Sequence, residues 1–231
     1  MKDQLASVVL PVYNQADHIG RVLEEYIECL GRLDLAYELL PVVNGPRKDR
    51  SLEICRGLEA RFPAIRTICI DEAGWGRAVR AGLSAARGDL LCYANSARTT
   101  GKDLLLVLLY GSVHTGTVVK VVRKIRESWR RRLGSLLYNL ECRMLFDLAS
   151  WDINGTPKVF SRDMTALLNL QRNDDLIDLE FSAICRRDEY PVIEVPIFST
   201  TRHSGGSTTS MVSAFRMYSG AIRLRWEFRS R

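Results

Sequence analysis

Two stretches of this sequence concentrate side chains able to hold an anion. Lys120 to Arg132 carries seven basic residues against one acid, Glu127, and Arg202 to Arg231 carries six arginines against Glu227. Fixed cations at that density attract phosphates, nucleic acid or an acidic lipid surface. Single-strand nucleic-acid modules interleave aromatics with their cations. Trp129 is the sole aromatic in the first stretch, so no nucleic-acid partner is expected. The cysteines Cys29, Cys55, Cys69, Cys92, Cys142 and Cys185 form no Cys-x-x-Cys pair, and His18, His114 and His203 are scattered. Reduced, mostly buried thiols are expected, with no zinc site.

These residues sit in a chain of 231 residues that is 46% hydrophobic and 26% charged, with net charge +6. Such a composition excludes a disordered chain, collagen or a disulfide scaffold, and the length suffices for a full core. The longest apolar run, Leu104 to Tyr110, falls far short of the roughly 18 residues of a membrane span. The run Val8 to Leu10 is broken by Pro11, too early for a secretory leader, and a cytoplasmic location is expected.

Strand and helix patterns alternate through the first half. Ser7–Val12, Tyr37–Val43, Ile65–Ile70 and Leu90–Ala94 read as strands. His18–Leu30, Ser51–Phe62 and Trp75–Ala86 read as helices between them. That rhythm predicts an α/β fold with a mostly parallel, Rossmann-like sheet and flanking helices. Ligands of such sheets bind beyond the carboxyl ends of the strands. The loops to watch are therefore Tyr13–Asp17, Asn44–Asp49, Asp71–Arg77 and Asn95–Thr100. Later, Asp103–Tyr110, Trp129–Leu148, Met164–Leu170 and Leu179–Arg187 read as helices, with strands at Thr117–Val122, Gly155–Phe160 and Val192–Val195. Ser199–Ser210 is a Ser/Thr/Gly-rich loop, and Met211–Phe228 an amphipathic basic helix. The expected organisation is one domain, residues 1–210, and a tail, 211–231.

The order of short motifs resembles the family 2 glycosyltransferases of the GT-A fold, in particular the polyprenyl-phosphate sugar transferases. Val9-Leu10-Pro11-Val12-Tyr13-Asn14 resembles the opening strand and loop, and Asn44-Gly45-Pro46 the end of the second strand. Gly74 to Gly82, leading into Ala86-Arg87-Gly88-Asp89, resembles the family's third helix. Asp152 to Arg162, Asp178-Leu179-Glu180 and Val192 to Ile197 followed by Arg202 continue the match. Two departures stand out. The family's first Asp pair falls on Val43 and Asn44, and its metal-holding Asp-x-Asp on Asn95-Ser96-Ala97. Mg²⁺ and Mn²⁺ prefer carboxylate oxygens, so these residues disfavour either ion, and no metal site is expected.

The resemblance implies inverting transfer of a sugar from a nucleotide-sugar donor to a polyprenyl phosphate or another membrane-proximal acceptor. The alternative it leaves open is an inactive relative that binds nucleotide sugar or a partner enzyme. Donor contacts are implied for Pro11, Tyr13, Asn14, Asn44, Asp71, Trp75, Arg77, Asn95 and Ser96. Pro11 is expected to end its strand, Asn14 could be a simple cap, Asp49 a contact or an N-cap, and Arg77 a diphosphate ligand or a solvated helix residue. Gly74 and Gly76 would let backbone amides approach a ligand. Lys120, Arg123, Asn154 and Lys158 are implied on the acceptor side. With the metal clamp gone, Arg98 and Arg202 are expected to neutralise part of the leaving group's charge. Asp152 and Asp178 are implied as catalytic residues, with Glu180 a third available carboxylate; Glu180 could equally be a surface acid, and Asp152 and Asn154 could instead simply shape a turn. Arg202–Ser210 resembles an acceptor lid, in which His203 is expected to be solvated. Met211–Phe228 could be an interfacial helix on anionic lipid or a core-packed helix with an arginine rim. In relatives membrane spans often follow this point; here the chain stops, and peripheral attachment to the inner membrane face is expected.

Overall fold

The computed structural model describes residues 4–124, 129–198 and 211–229. A seven-stranded sheet runs through it in the order β3-β2-β1-β4-β6-β5-β7. The strands are β1 (Leu5–Val12), β2 (Ala36–Asn44), β3 (Ile68–Ile70), β4 (Leu90–Tyr93), β5 (Val118–Arg123), β6 (Lys158–Ser161) and β7 (Val192–Ile197). Only β6 runs antiparallel, to both β4 and β5. The helices are α1 (Ile19–Leu30), α2 (Ser51–Arg61), α3 (Trp75–Ala85), α4 (Gly101–Val113), α5 (Trp129–Phe146), α6 (Ile177–Arg187) and α7 (Met211–Arg229).

Central strands read as continuous apolar runs because helices cover both faces of the sheet. One face packs Val8, Leu10 and Val12 of β1 with Val22, Leu23 and Tyr26 of α1 and Leu104 and Val107 of α4. The other packs Val9, Leu91, Tyr93 and Phe160 with Val79 and Leu83 of α3 and Ile177 and Phe181 of α6.

Some boundaries differ from the sequence expectation. Pro11 does not end β1, which continues to Val12 paired with β2. Its carbonyl faces the β4 side, where Ser96 Oγ reaches it at 3.4 Å; β4 has already stopped there, so the missing N–H costs no ladder bond. Ile65 only bridges Leu39, and β3 begins at Ile68. β6 starts at Lys158, because Pro157 has no N–H to donate. Met164–Leu170 holds a 3₁₀ turn at Thr165–Leu168. α6 starts two residues early, at Ile177, and is covered on all sides through Cys185, so Asp178 and Glu180 are both buried. α7 shares a third core with α5 and α6, in which Ala221 and Leu224 pack with Tyr138, Cys142, Leu176 and Leu179. The segment expected as a tail is therefore packed along one face.

Candidate functional site

Because β6 runs against its neighbours, its first residue lies at the same rim as the last residue of β4: Tyr93 pairs with Lys158. The carboxyl ends of β1, β2, β4 and β5 and the loop before β6 thus meet along one edge. Asn44 joins the first part of that edge. Its buried amide donates to Val12 O at 2.9 Å and its Oδ1 accepts from Gly74 N at 3.1 Å. Asp49 accepts from Ala16 N at 2.8 Å and Ser51 Oγ from Gln15 N at 2.8 Å, which fixes the loop after β1. Burial works against the Asp49 charge, but hydrogen bonds from Ser51 and from Ala16 N win and hold its carboxyl below the ordinary range. Asn14 stands at the turn with φ 49°, and Tyr13 is exposed beside it.

The second part of the edge is a network of six charged groups, four of them buried and Arg123 and Glu194 partly so. Lys158 is fully buried; it pairs with Asp178 Oδ1 and donates to Ile153 O at 3.0 Å. Asp178 also accepts from Tyr93 OH at 2.8 Å and from Trp75 Nε1 at 3.3 Å. Arg123 grips Asp152 with two parallel bonds of 2.7 Å and donates to Asn154 O at 3.1 Å. Lys120 donates to Ser150 Oγ and Asp152 O, each at 2.5 Å, and lies 3.3 Å from Glu194 Oε1. Three cations and three carboxylates balance, the condition under which buried charge is tolerated.

Burial, reinforced by the neighbouring charge of Lys158 and opposed by Glu194 and Asp152, pushes Lys120 down from the ordinary 10.5 to about 8. Above that pH and up to the ordinary lysine value, the unfolded chain holds a proton that the folded chain has released. Stability from this group therefore rises with pH across the window. Lys120, Ser150, Ser182, Cys185 and Glu194 border a cavity of about 430 Å³. The stability difference between the parent chain and Lys120→Met, read by urea denaturation, should climb from pH 8 to 10; a flat or falling difference would contradict the assignment.

The structure brings the expected residues to one edge but gives several of them different work. Lys120 and Lys158 are sealed inside, and two nitrogens of Arg123 are spent on Asp152 and Asn154, so these cations do not lie open to an acceptor phosphate. Asp152 and Asp178 have both oxygens engaged. Glu180 is not a surface acid: it is buried and accepts from Gln171 N and Arg172 N at 2.8–3.0 Å. Asn44 is a tie, with both amide atoms occupied. The space beside Gly74 and Gly76 belongs to the chain itself. A β-carbon there would lie 2.6 Å from Asn173 O and 2.5 Å from Arg172 O, so the glycines admit the 172–174 loop rather than a ligand.

On the open side, Arg47 pairs with exposed Asp71 at 3.1 Å, Arg77 pairs with Glu72, and Arg98 is half-buried after β4. Asn154 keeps a buried Oδ1 with no hydrogen-bond partner among the described residues. Arg202, His203 and the expected lid lie outside the described residues. Ser150, Glu194 and Tyr93 were not anticipated. A signal for the network was present: Lys120 sits alone in Val-Val-Lys-Val-Val, and a lysine in a fully covered strand must find a carboxylate.

The sequence model for glycosyl transferase family 2 matches residues 7–166. The undecaprenyl-phosphate 4-deoxy-4-formamido-L-arabinose transferases of Sodalis glossinidius and Edwardsiella ictaluri are 25% and 26% identical to this chain over 92% and 93% of its length. The chain spans about two thirds of those relatives, 65% and 66%. Among solved structures, glucosyl-3-phosphoglycerate synthase from Mycobacterium tuberculosis, in complex with Mn²⁺, UDP and glucosyl-3-phosphoglycerate, matches at TM-score 0.73 and 16% identity, covering 96% of this chain and 80% of that one. Mannosyl-3-phosphoglycerate synthase from Rubrobacter xylanophilus matches at 0.67 and 20%, covering 98% and 76%. The residues at this chain's rim do not fit a divalent ion of that kind. Asn95 Oδ1 accepts from Ala97 N at 3.0 Å, Ser96 Oγ is spent on Gln15 at 2.6 Å, and Ala97 has no donor atom. No group of three His, Cys, Asp or Glu side chains able to hold a metal occurs among the described residues.

Proposed function

The chain belongs to glycosyl transferase family 2 and has the GT-A fold, and from that premise we propose that it transfers a sugar, with inversion, from a nucleotide-sugar donor to a polyprenyl phosphate. The observation that carries this reading is the junction at Trp75. Its helix starts where Asn44 holds Gly74, and its indole N–H donates to Asp178. The nucleotide-side rim and the buried network beside the acceptor side are thereby one mechanical unit, and positioning of two reactants is the main demand of such a transfer.

The chemistry suits what the rim offers. A phosphate monoester is ionised near neutral pH, so its oxygen attacks the anomeric carbon without a general base, and the nucleoside diphosphate departs with the bonding electrons. Asp152 and Asp178 are then positioning residues: one fixes the Asp152–Gly155 loop through Arg123, the other holds Trp75, Tyr93 and Lys158. Tyr13, Asn14 and Asp71 line the nucleoside side. Arg77, Arg98 and Arg202 supply fixed cations for the departing diphosphate. A lipid acceptor places the work at a membrane surface. No helix of the described residues is long and apolar enough to cross a bilayer.

The missing carboxylates at Val43, Asn44 and Asn95–Ala97 favour one second reading, a chain that binds nucleotide sugar without turnover. Thermal-shift measurements with UDP-, GDP- and dTDP-sugars, paired with transfer to undecaprenyl phosphate, separate the two. Stabilisation by a donor together with a labelled lipid product supports transfer; stabilisation with no product selects the binding protein.

A further inference from the structure

The cavity of about 430 Å³ lies between α6 and the edge strand β7, and Lys120 and Glu194 border its inner end. A volume of that size is in the range of small-molecule sites. Its mouth lies at the start of β7, the end of that strand away from the rim, where Val192 and Arg186 are exposed. Leu148 and Phe181 are buried and give it apolar walls, and half-buried Tyr190 adds a second aromatic ring.

Charge points to the kind of ligand. The two cations that line the cavity are already engaged. Arg186 is held by Asp147 at 2.5 Å, and Lys120 faces Ser150 Oγ, Asp152 O and Glu194. Against these two stand three carboxylates, Asp147, Glu189 and Glu194, so this corner carries one net negative charge in a chain of net charge +6. Glu194 also has acceptor capacity to spare. The bonds it accepts, from Ser150 Oγ at 2.5 Å and Trp151 N at 3.0 Å, both fall on Oε1, and Oε2 makes no hydrogen bond among the described residues. A carboxylate oxygen and aromatic rings around an apolar, net-negative cavity are the groups that hold an organic cation.

We infer that the cavity between α6 and β7 is a binding site for a small organic ammonium ion with a compact apolar body. The nitrogen sits at Glu194, and the body lies among Leu148, Phe181, Tyr190 and Val192. A carboxylate ligand would set its charge against Glu194 while Lys120 is engaged, and a neutral one would leave the spare carboxylate oxygen without a charged partner. Glu194 also holds Trp151 N, the residue before Asp152, so the occupant lies one side chain away from the Asp152–Gly155 loop. The site does not rest on the transfer reading, and its test needs no turnover.

Isothermal titration of the full chain at pH 7 with benzylammonium, benzyl alcohol and benzoate separates charge from shape. Benzylammonium should bind, and the neutral and anionic analogues should bind about tenfold or more weakly by comparison. Val192→Trp fills the mouth without removing a charge and should weaken benzylammonium binding about tenfold or more; Glu194→Gln should do the same. Val113→Trp, on the exposed side of α4, should bind as the parent does. Val192 is 41% exposed, so its variant should keep the parent's thermal transition, which keeps the test decisive even if Glu194→Gln does not fold. No binding of benzylammonium at millimolar concentration, equal binding of the three compounds, or a folded Val192→Trp that binds as the parent does would overturn the assignment.

Discussion

Replacing Asp178 by alanine is expected to cost about 3–5 kcal/mol of folding stability, the usual penalty for removing one partner of a buried ion pair. Lys158 is fully buried, and without Asp178 it would keep its bond to Ile153 O at 3.0 Å and its contacts with the Tyr93 and Phe181 rings, but no carboxylate in contact. Burial already lowers the Lys158 pKa, opposed chiefly by the charge of Asp178, so the variant would bury a lysine that must shed its proton or hydrate. Tyr93 OH and Trp75 Nε1 lose their acceptor in the same step. Urea denaturation followed by circular dichroism reads the loss, and a cost below about 1 kcal/mol would contradict the network. A compensated pair, Asp178→Leu with Lys158→Met, should recover most of the stability, because a well-packed apolar pair replaces a buried ionic one at little cost. Transfer should stay impaired in that pair, since Trp75 has lost its tie; full activity would show that Asp178 serves the fold alone.

Arg123→Ala is the second large effect. Asp152 is 2% exposed and would lose both guanidinium bonds while keeping the bond from Arg123 N at 3.1 Å. A cost of about 3 kcal/mol is expected. The Asp152–Gly155 loop would be released, and Gly155 packs so close to β5 that a β-carbon there would lie 2.1 Å from Val121 O. A loosened loop should raise KM for the lipid phosphate more than it lowers kcat at saturation. Arg123→Lys keeps the charge without the fork and should recover only part of each loss. Equal behaviour of the lysine and alanine variants would mean that the two-pronged grip is not what matters.

Much of this arrangement was legible in the residues. The alternation of strand and helix patterns gave β1, α1, β2, α2, α3 and β4 nearly to the residue, because hydrophobic periodicity is a local signal. The edge carrying the site followed from the parallel sheet. Partnership was not legible. Lys120 and Glu194 are 74 positions apart in sequence and meet only because β5 and β7 are neighbours in register. Asp152 and Asp178 were visible as acids, but whether an acid is open or gripped depends on which cation folds against it. Glu180 was legible as an acid within a helix, but not the Gln171 and Arg172 amides that hold it in the core. Gly74 and Gly76 show the same limit: their freedom was visible, and the 172–174 loop that uses it was not.

In the proposed transfer, side-chain cations, with no divalent ion, carry the negative charge of a departing nucleoside diphosphate. Transfer of labelled sugar from its nucleotide donor to undecaprenyl phosphate, timed in excess EDTA and again with added Mn²⁺, tests it most directly. Equal initial rates in the two conditions are the predicted result. Transfer that stops in EDTA and returns with Mn²⁺ would contradict it.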